Sequence, residues 1–214
     1  MNIINGVYSE DYNQVGGCIM KNILFIASEG VPFIKTGGLA DVVGSLPKGI
    51  DKEYYDVRVI LPKYNCMHQD KKDMLHYRDH FYMEFNWKNE YVGILEAEYD
   101  GIKYYFIDNE YYFKRGTLYG HYDDAERFAF FSRAILEMLP YIDFHPDIIH
   151  CNDWQTALVP VYYYLFYSHR PWYYNIKSLF TIHNIQYQGE YGWEVNTECV
   201  GIPASLSLIH ISEP

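Results

Sequence analysis

The stretch from Asn22 to Pro47, NILFIASEGVPFIKTGGLADVVGSLP, decides the fold of this chain. Its first six residues are mostly apolar, which is typical of a strand buried inside a parallel sheet. A loop with two adjacent glycines, Gly37 and Gly38, comes next. Apolar residues then recur at helical spacing, at Leu39, Val42, Val43 and Leu46. Strand, glycine loop and helix in this order predict the first βα unit of an α/β fold.

Strand and helix patterns continue to alternate along the chain. Further strands are predicted at Tyr55–Leu61, Asp147–Cys151 and Ser178–His183, and helices at Asp124–Leu139 and Gln155–Tyr167. Three more strands are predicted at 81–87, 91–99 and 102–107, with a hairpin turn at Asp100-Gly101. This order predicts a Rossmann-like parallel sheet, covered by helices on both faces, with a β-hairpin insertion.

Composition and charge exclude several classes of protein. The 214 residues are 49% hydrophobic and 21% charged, as in an ordinary globular domain. A net charge of −11 argues against nucleic acid as a partner. The longest apolar stretch, Ala157–Tyr167, is about half the ~20 residues of a membrane-spanning helix, so no membrane segment is predicted. The cysteines are far apart and form no CxxC pair, which favours free thiols in a reducing cytoplasm: Cys18, Cys66, Cys151 and Cys199.

Aromatic residues are unusually frequent, with 24 Tyr and 12 Phe. Most of them are interpreted as core residues. The alternative is that some surface Tyr and Trp stack on sugar rings, because these side chains combine an apolar face with a polar tip.

Three polar clusters follow predicted strands, at 35–41, 150–155 and 183–189. The carboxyl ends of parallel strands share one edge of the sheet, where ligands bind. Around Lys35, paired glycines and a helix amino terminus suit a phosphate or diphosphate. A plain strand-to-helix turn explains the glycines equally well, since the pattern is neither GxGxxG nor a P-loop. Asp153, Trp154 and His183 are likewise also typical of a helix start, a core residue and a strand end.

Specific strings resemble the motifs of bacterial and plant glycogen (starch) synthases. The string KTGGLADV at 35–42 resembles the most diagnostic motif of that family, and it follows a strand that ends in Ala27-Ser28-Glu29. His150-x-x-Asp153-Trp154 and TIHNIQYQG at 181–189 are similar to two further motifs in the same order, and Tyr119-Gly120 resembles a fourth. The resemblance runs from about Lys21 to Gly192.

The resemblance implies the GT-B architecture, in which two Rossmann-like domains face each other across a cleft. It implies a retaining transferase that moves glucose from ADP-glucose to the non-reducing end of an α-1,4-glucan, with no metal or other cofactor. The chain agrees in containing no Asp-x-Asp, the metal motif of the other large glycosyltransferase architecture.

The resemblance also assigns roles to residues. Catalytic roles would fall to Lys35, which neutralises the donor diphosphate, to His183, which stabilises positive charge at the anomeric carbon, and to Asp153 in the cleft. The remaining substrate-binding positions would be Gly37, Gly38, Asp41, Tyr119, Trp154 and Asn184. Asn152 and Gln155 stand where many relatives carry histidines, so neither receives a role.

The domain prediction is a Rossmann-like catalytic domain over 20–204, without the second, nucleotide-binding domain. Residues 1–19 are predicted to be a disordered extension, and 205–214 are interpreted as a non-native tail. We expect the chain alone to be inactive, because half a cleft cannot enclose the donor or exclude water.

Four alternative functions differ in their support from the sequence. One is a GT-B transferase that uses a UDP-sugar, and another is a non-catalytic glucan-binding module built on the tyrosines. A dinucleotide-dependent oxidoreductase lacks support because the chain has no GxGxxG. Glycosidase chemistry needs a carboxylate pair, which nothing in the sequence marks.

Overall fold

A computed structural model describes residues 14–15, 18–192, 195 and 200–202. The interpreted tail at 205–214 lies outside the described residues. Of the predicted extension, only two short antiparallel strands are described before residue 20, β1 (Gln14–Val15) and β2 (Cys18–Ile19). Both interpretations stay predictions.

A seven-stranded sheet forms the centre of the described chain. Its strands are β3 (Lys21–Ile26), β4 (Tyr55–Pro62), β5 (His76–Phe85), β6 (Lys88–Tyr99), β7 (Ile102–Asp108), β8 (Ile148–Asn152) and β9 (Lys177–Thr181). The order across the sheet is β5-β6-β7-β4-β3-β8-β9, and of these seven strands β6 runs in the direction opposite to the other six. The predicted α/β fold with a mostly parallel sheet is confirmed.

The predicted hairpin is also confirmed, and it is continuous with the sheet. Asp100 and Gly101 have φ of 52° and 69°, as the tightest two-residue hairpin turn requires. The hairpin joins the sheet because β7 pairs in parallel with β4. A second such turn at Asn86 and Trp87, with φ of 48° and 63°, joins β5 to β6. The sequence prediction ended one strand at 87 and began the next at 91, so it placed this turn too late, because Asn-Trp lacks the usual glycine.

The helices are α1 (Gly38–Gly49), α2 (Gln69–Lys72), α3 (Glu110–Phe113), α4 (Asp124–Met138) and α5 (Leu158–Tyr162). The single helix predicted over Gln155–Tyr167 is wrong in detail. A 3-10 turn at Trp154–Thr156 precedes α5, and a π-helical turn at Tyr163–Tyr167 follows it. Pro160 lies within α5 and has no N–H to donate to the carbonyl of Thr156, so one α-helical hydrogen bond between the 3-10 turn and α5 is missing. Among the described residues, no helix has the length and apolar character that a bilayer span requires.

Helices cover most of the sheet but leave β9 open. Helix α4 packs against β5 and β7 and buries its phenylalanines, and α1 packs against β4 and buries Val43. In β9, the last strand in the order of the sheet, Leu179 and Phe180 are 51% and 40% exposed. Within the described part of the chain, the prediction of a sheet covered on both faces is therefore wrong at β9, and also at the β5–β6 end, where one face presents exposed tyrosines such as Tyr82.

Candidate active site at the carboxyl edge of the sheet

The structure brings the three predicted polar clusters to one edge of the sheet. Strands β3, β8 and β9 are parallel neighbours, with Ile26 beside Cys151 and Asn152 beside Thr181. The segments that leave their carboxyl ends therefore emerge at the same edge, where parallel sheets bind ligands.

The glycine loop, residues 29–38, is closed by a carboxylate of the chain itself. Oε2 of Glu29 accepts hydrogen bonds from Thr36 Oγ1 at 2.9 Å, from Gly37 N at 3.1 Å and from Thr36 N. The Glu29 side chain is buried, so these bonds offset the cost of removing its charge from water. The N–H groups of Thr36 and Gly37, which could have bound an external anion, are therefore already bonded to the Glu29 carboxylate. Sequence reasoning missed Glu29; the available signal was an acidic residue directly after a strand and just before paired glycines.

Lys35 and Asp41 form an ion pair at the start of α1. Nζ of Lys35 lies 2.7 Å from both carboxylate oxygens of Asp41. About half of each side chain is exposed, at 51% and 57%. Asp41 lies in the first turn of α1, where a carboxylate is favoured by the helix dipole. The predicted cation, Lys35, therefore lies at the candidate site, where it is paired with Asp41, another predicted site residue.

Tyr119 joins the glycine loop to the rest of the edge. Its hydroxyl lies 2.7 Å from Ser28 Oγ. Burial, and next the nearby Glu29 carboxylate, raise the pKa of Tyr119 well above its ordinary value. The phenol is therefore neutral at physiological pH and acts as a hydrogen-bonding group.

A buried ion pair holds the loop that carries Tyr119. Oδ2 of Asp124 accepts from Gly120 N at 2.8 Å and from His121 N at 3.2 Å, and Asp124 pairs with Arg127. Arg127 is fully buried and donates to the carbonyls of Tyr112 at 2.7 Å and Leu118 at 3.1 Å. A buried guanidinium with such partners fixes the surrounding backbone.

Asp153 positions the segment that contains His183. Its Oδ1 accepts from the backbone N–H groups of His183 at 2.6 Å and Asn184 at 3.3 Å. Asp153 itself has φ of 60° and ψ of 174°, a region that only glycine adopts readily. Such a conformation costs on the order of 1–3 kcal/mol and is kept at sites where geometry matters.

Asn152 orients the His183 ring, although sequence reasoning gave it no role. Its Nδ2 donates to the carbonyls of Ile26 and His150, each at 3.1 Å. The amide oxygen is therefore left to accept from Nε2 of His183, which lies 2.9 Å away. This contact places the ring proton on Nε2, because the amide oxygen cannot donate.

His150 is buried and links two strands. Its Nε2 lies 2.7 Å from Thr181 Oγ1, so the contact joins β8 to β9. Burial, and then the nearby His183, lower the pKa of His150.

Trp154 packs against other aromatic rings. Its ring lies 5.1 Å from that of Phe128 and 5.8 Å from that of Tyr191. Gly189, with φ of 65°, lies so close that a Cβ there would be 2.3 Å from Trp154 Cε3. The neighbouring Gln155 is buried, and its Oε1 has no hydrogen-bond partner among the described residues.

A cavity of about 610 Å³ adjoins the glycine loop. Lys35 and Thr36 line it on one side, and His68 and Lys71, from the region after β4, line it on another. It has the size of a small-molecule site and two ammonium groups on its wall. No cluster of three or more His, Cys, Asp or Glu that could hold a metal ion occurs among the described residues.

Comparisons with known proteins place this chain in a family. Residues 22–213 match the family model described as the starch synthase catalytic domain. The chain is 56% identical over 179 residues to a glycogen synthase of Lachnoclostridium phytofermentans, covering 83% of this chain and 37% of the relative. It is 53% identical over 180 residues to a glycogen synthase of Clostridium botulinum strain Alaska E43, covering 84% and 38%.

A solved structure agrees with these relatives. The catalytic domain of Starch Synthase IV from Arabidopsis thaliana, bound to ADP and acarbose, superimposes with a TM-score of 0.74 at 35% identity, covering 87% of this chain and 38% of that one. The chain thus spans less than two fifths of the length of the relatives it matches. With the family model covering most of its length, the chain belongs to the starch synthase catalytic domain family.

Proposed function

We propose that the protein containing this chain is a retaining glucosyltransferase of glycogen synthesis. It transfers glucose from ADP-glucose to the non-reducing end of an α-1,4-glucan, in the cytoplasm and without a metal or other cofactor. The supporting observation is the meeting of the glycine loop, Tyr119 and His183 at one sheet edge in a member of this family. The related Arabidopsis domain was solved with ADP and acarbose, a nucleotide and a sugar analogue.

The reaction breaks the bond between glucose and the ADP diphosphate, so the site must offset charge on the leaving group. Lys35 supplies the cation for this role. Because Glu29 takes the N–H of Gly37, we assign the amide contact to Gly38, the first residue of α1. Gly37 then serves the turn itself.

The sugar end of the site is assigned to His183 and its neighbours. In the proposal His183 lies beside the donor glucose and stabilises positive charge at the anomeric carbon. Asp153 acts as a positioning residue, because its Oδ1 is engaged by two backbone N–H groups. Asp41, Tyr119, Trp154 and Asn184 are assigned to the cleft wall.

A chimera tests the proposal. It joins this chain to the part of the Lachnoclostridium phytofermentans relative that the chain does not match. We expect the chimera, given ADP-glucose and a maltooligosaccharide, to extend the glucan, and the chain alone to show no transfer. A folded chimera without transfer would contradict the proposal, and robust elongation by the chain alone would contradict its dependence on a second domain.

Competition between donors tests the nucleotide. We expect unlabelled ADP-glucose to suppress incorporation of labelled glucose far better than UDP-glucose does. Preference for UDP-glucose would favour the alternative transferase. Glycogen binding by a chimera that transfers from neither donor would favour a binding module.

A further inference from the structure

Four exposed rings form a continuous surface at the end of the sheet opposite β9. This surface, here called the aromatic patch, consists of Tyr77, His80, Tyr82 and Tyr91. Tyr77 and Tyr82 are 61% and 60% exposed. The centroids of neighbouring rings lie between 5.7 and 6.3 Å apart. A contiguous exposed aromatic surface of this kind marks a binding site more often than chance exposure does.

The rings of the aromatic patch are held in place. The hydroxyl of Tyr77 lies 2.6 Å from Nδ1 of His80. Gly93, which pairs with His80 across the strands, leaves room for the Tyr91 ring, because a Cβ at Gly93 would lie 2.9 Å from Tyr91 Oη. Rings that are already ordered lose little conformational freedom when a ligand binds.

The aromatic patch lies on the sheet face that carries the glycine loop. Residues two apart in a strand share a face, so Tyr91 lies on the same face as Gly93. Gly93 pairs with Asp108, the last residue of β7. Phe106, two residues before Asp108, contacts Phe33 of the glycine loop at 4.8 Å between ring centroids. The patch therefore shares both the face and the carboxyl edge of the sheet with the candidate site.

We propose that the aromatic patch is a second contact surface for the α-glucan, outside the cleft. The proposal rests on the proposed function, which supplies the neutral sugar polymer. The four side chains offer flat apolar faces with polar tips and contribute no carboxylate or ammonium group, which suits stacking on sugar rings. Because the patch and the candidate site share this face, one glucan chain can contact both, and a polymer held at two points is retained more strongly than at either one. The exposed side chains near β9, such as Leu179 and Ile182, offer no polar tips.

Affinity electrophoresis of the 214-residue chain, in gels with and without glycogen, tests the proposal. We expect glycogen to retard the chain, and Tyr82→Ala combined with Tyr91→Ala to weaken the affinity about tenfold through the loss of two stacking contacts. The matched control combines Tyr122→Ala with Tyr164→Ala, two tyrosines that are 94% and 75% exposed elsewhere. Glycogen that does not retard the wild-type chain, or retards both double variants equally, would overturn the proposal.

Further variants separate binding from folding and from catalysis. Tyr82→Phe keeps the ring and should retain the affinity, so a loss there would argue against stacking. Should the double variant lower the thermal midpoint, this single variant and Tyr82→Ala carry the test. In the chimera, the same double variant should lower glycogen affinity but leave donor binding unchanged. If the chimera's glycogen affinity does not change, the rest of the longer protein covers the patch and the proposal fails. A chimera that is retarded by glycogen but transfers no glucose would contradict the proposed function alone.

Discussion

At the scale of single residues, the charged groups of the candidate site already have partners within the chain. Glu29 already satisfies two N–H groups of the glycine loop, and Asp41 already pairs with Lys35. If Lys35 binds the donor diphosphate as proposed, the diphosphate oxygens replace the Asp41 carboxylate as its partner. An exposed ion pair such as Lys35–Asp41 contributes little to folding, so it is readily exchanged.

Lys35→Ala in the chimera should weaken ADP-glucose binding by roughly 1.5–3 kcal/mol, the usual cost of losing a hydrogen bond to a charged group. Isothermal titration or competition kinetics measures the change. Lys114→Ala, which removes another half-exposed lysine from a carboxylate pair, is the control. Equal donor affinity in the wild type and the Lys35 variant would remove Lys35 from the site.

Asn152 is expected to act through His183, because its amide oxygen accepts the Nε2 proton. In the chimera, Asn152→Ala and His183→Ala should each lower kcat, and the double variant should lose little more than His183→Ala alone. Such non-additivity is typical of residues that work as one unit. Fully additive losses would show that Asn152 acts independently of the ring.

At the scale of elements, periodicity and turn chemistry predicted most of the fold. The first strand, helix α4 and the Asp100-Gly101 turn were predicted because each depends mainly on its own residues. The 3-10 and π-helical turns on either side of α5 were missed because apolar residues continue through that segment. The turn at Asn86-Trp87 was placed too late, at 88–90, because it contains no glycine. Glu29 and Asn152 were missed for another reason: their partners lie in segments whose proximity only the assembled sheet creates.

The buried imidazole of His150 should make the stability of the chain depend on pH. The pKa of His150 is lowered from its ordinary 6.5, chiefly by burial. As pH falls below about 6.5, the unfolded chain binds a proton that the folded chain resists, so the stabilisation present at higher pH is lost. Urea midpoints at pH 7.5 and 5.5 should therefore differ more for the wild type than for His150→Gln. His68→Gln, at an exposed histidine, is the control; an equal pH effect in the wild type and His150→Gln would contradict the assignment.

At the scale of the whole molecule, the two ends of the sheet differ in chemistry. The β5–β6 end presents tyrosines, whereas β9 presents the apolar side chains of Leu179 and Phe180 and, within the described chain, pairs with another strand on one side only. An unpaired edge with exposed apolar residues is a template for association with another strand. His183 lies two residues beyond the end of β9, so a strand that pairs with β9 would lie next to the candidate site.

The isolated chain should therefore self-associate through β9. Leu179, 51% exposed at the centre of this strand, is the position to change: Leu179→Lys places a charge on the edge, which opposes strand addition. We expect light scattering coupled to size exclusion to show concentration-dependent association of the wild-type chain and a marked shift of the variant toward monomer. Val161→Lys, at a residue 38% exposed on α5, is the control and should associate like the wild type. A wild-type chain that stays monomeric at high concentration, or a Leu179→Lys variant that associates like the wild type, would contradict this prediction.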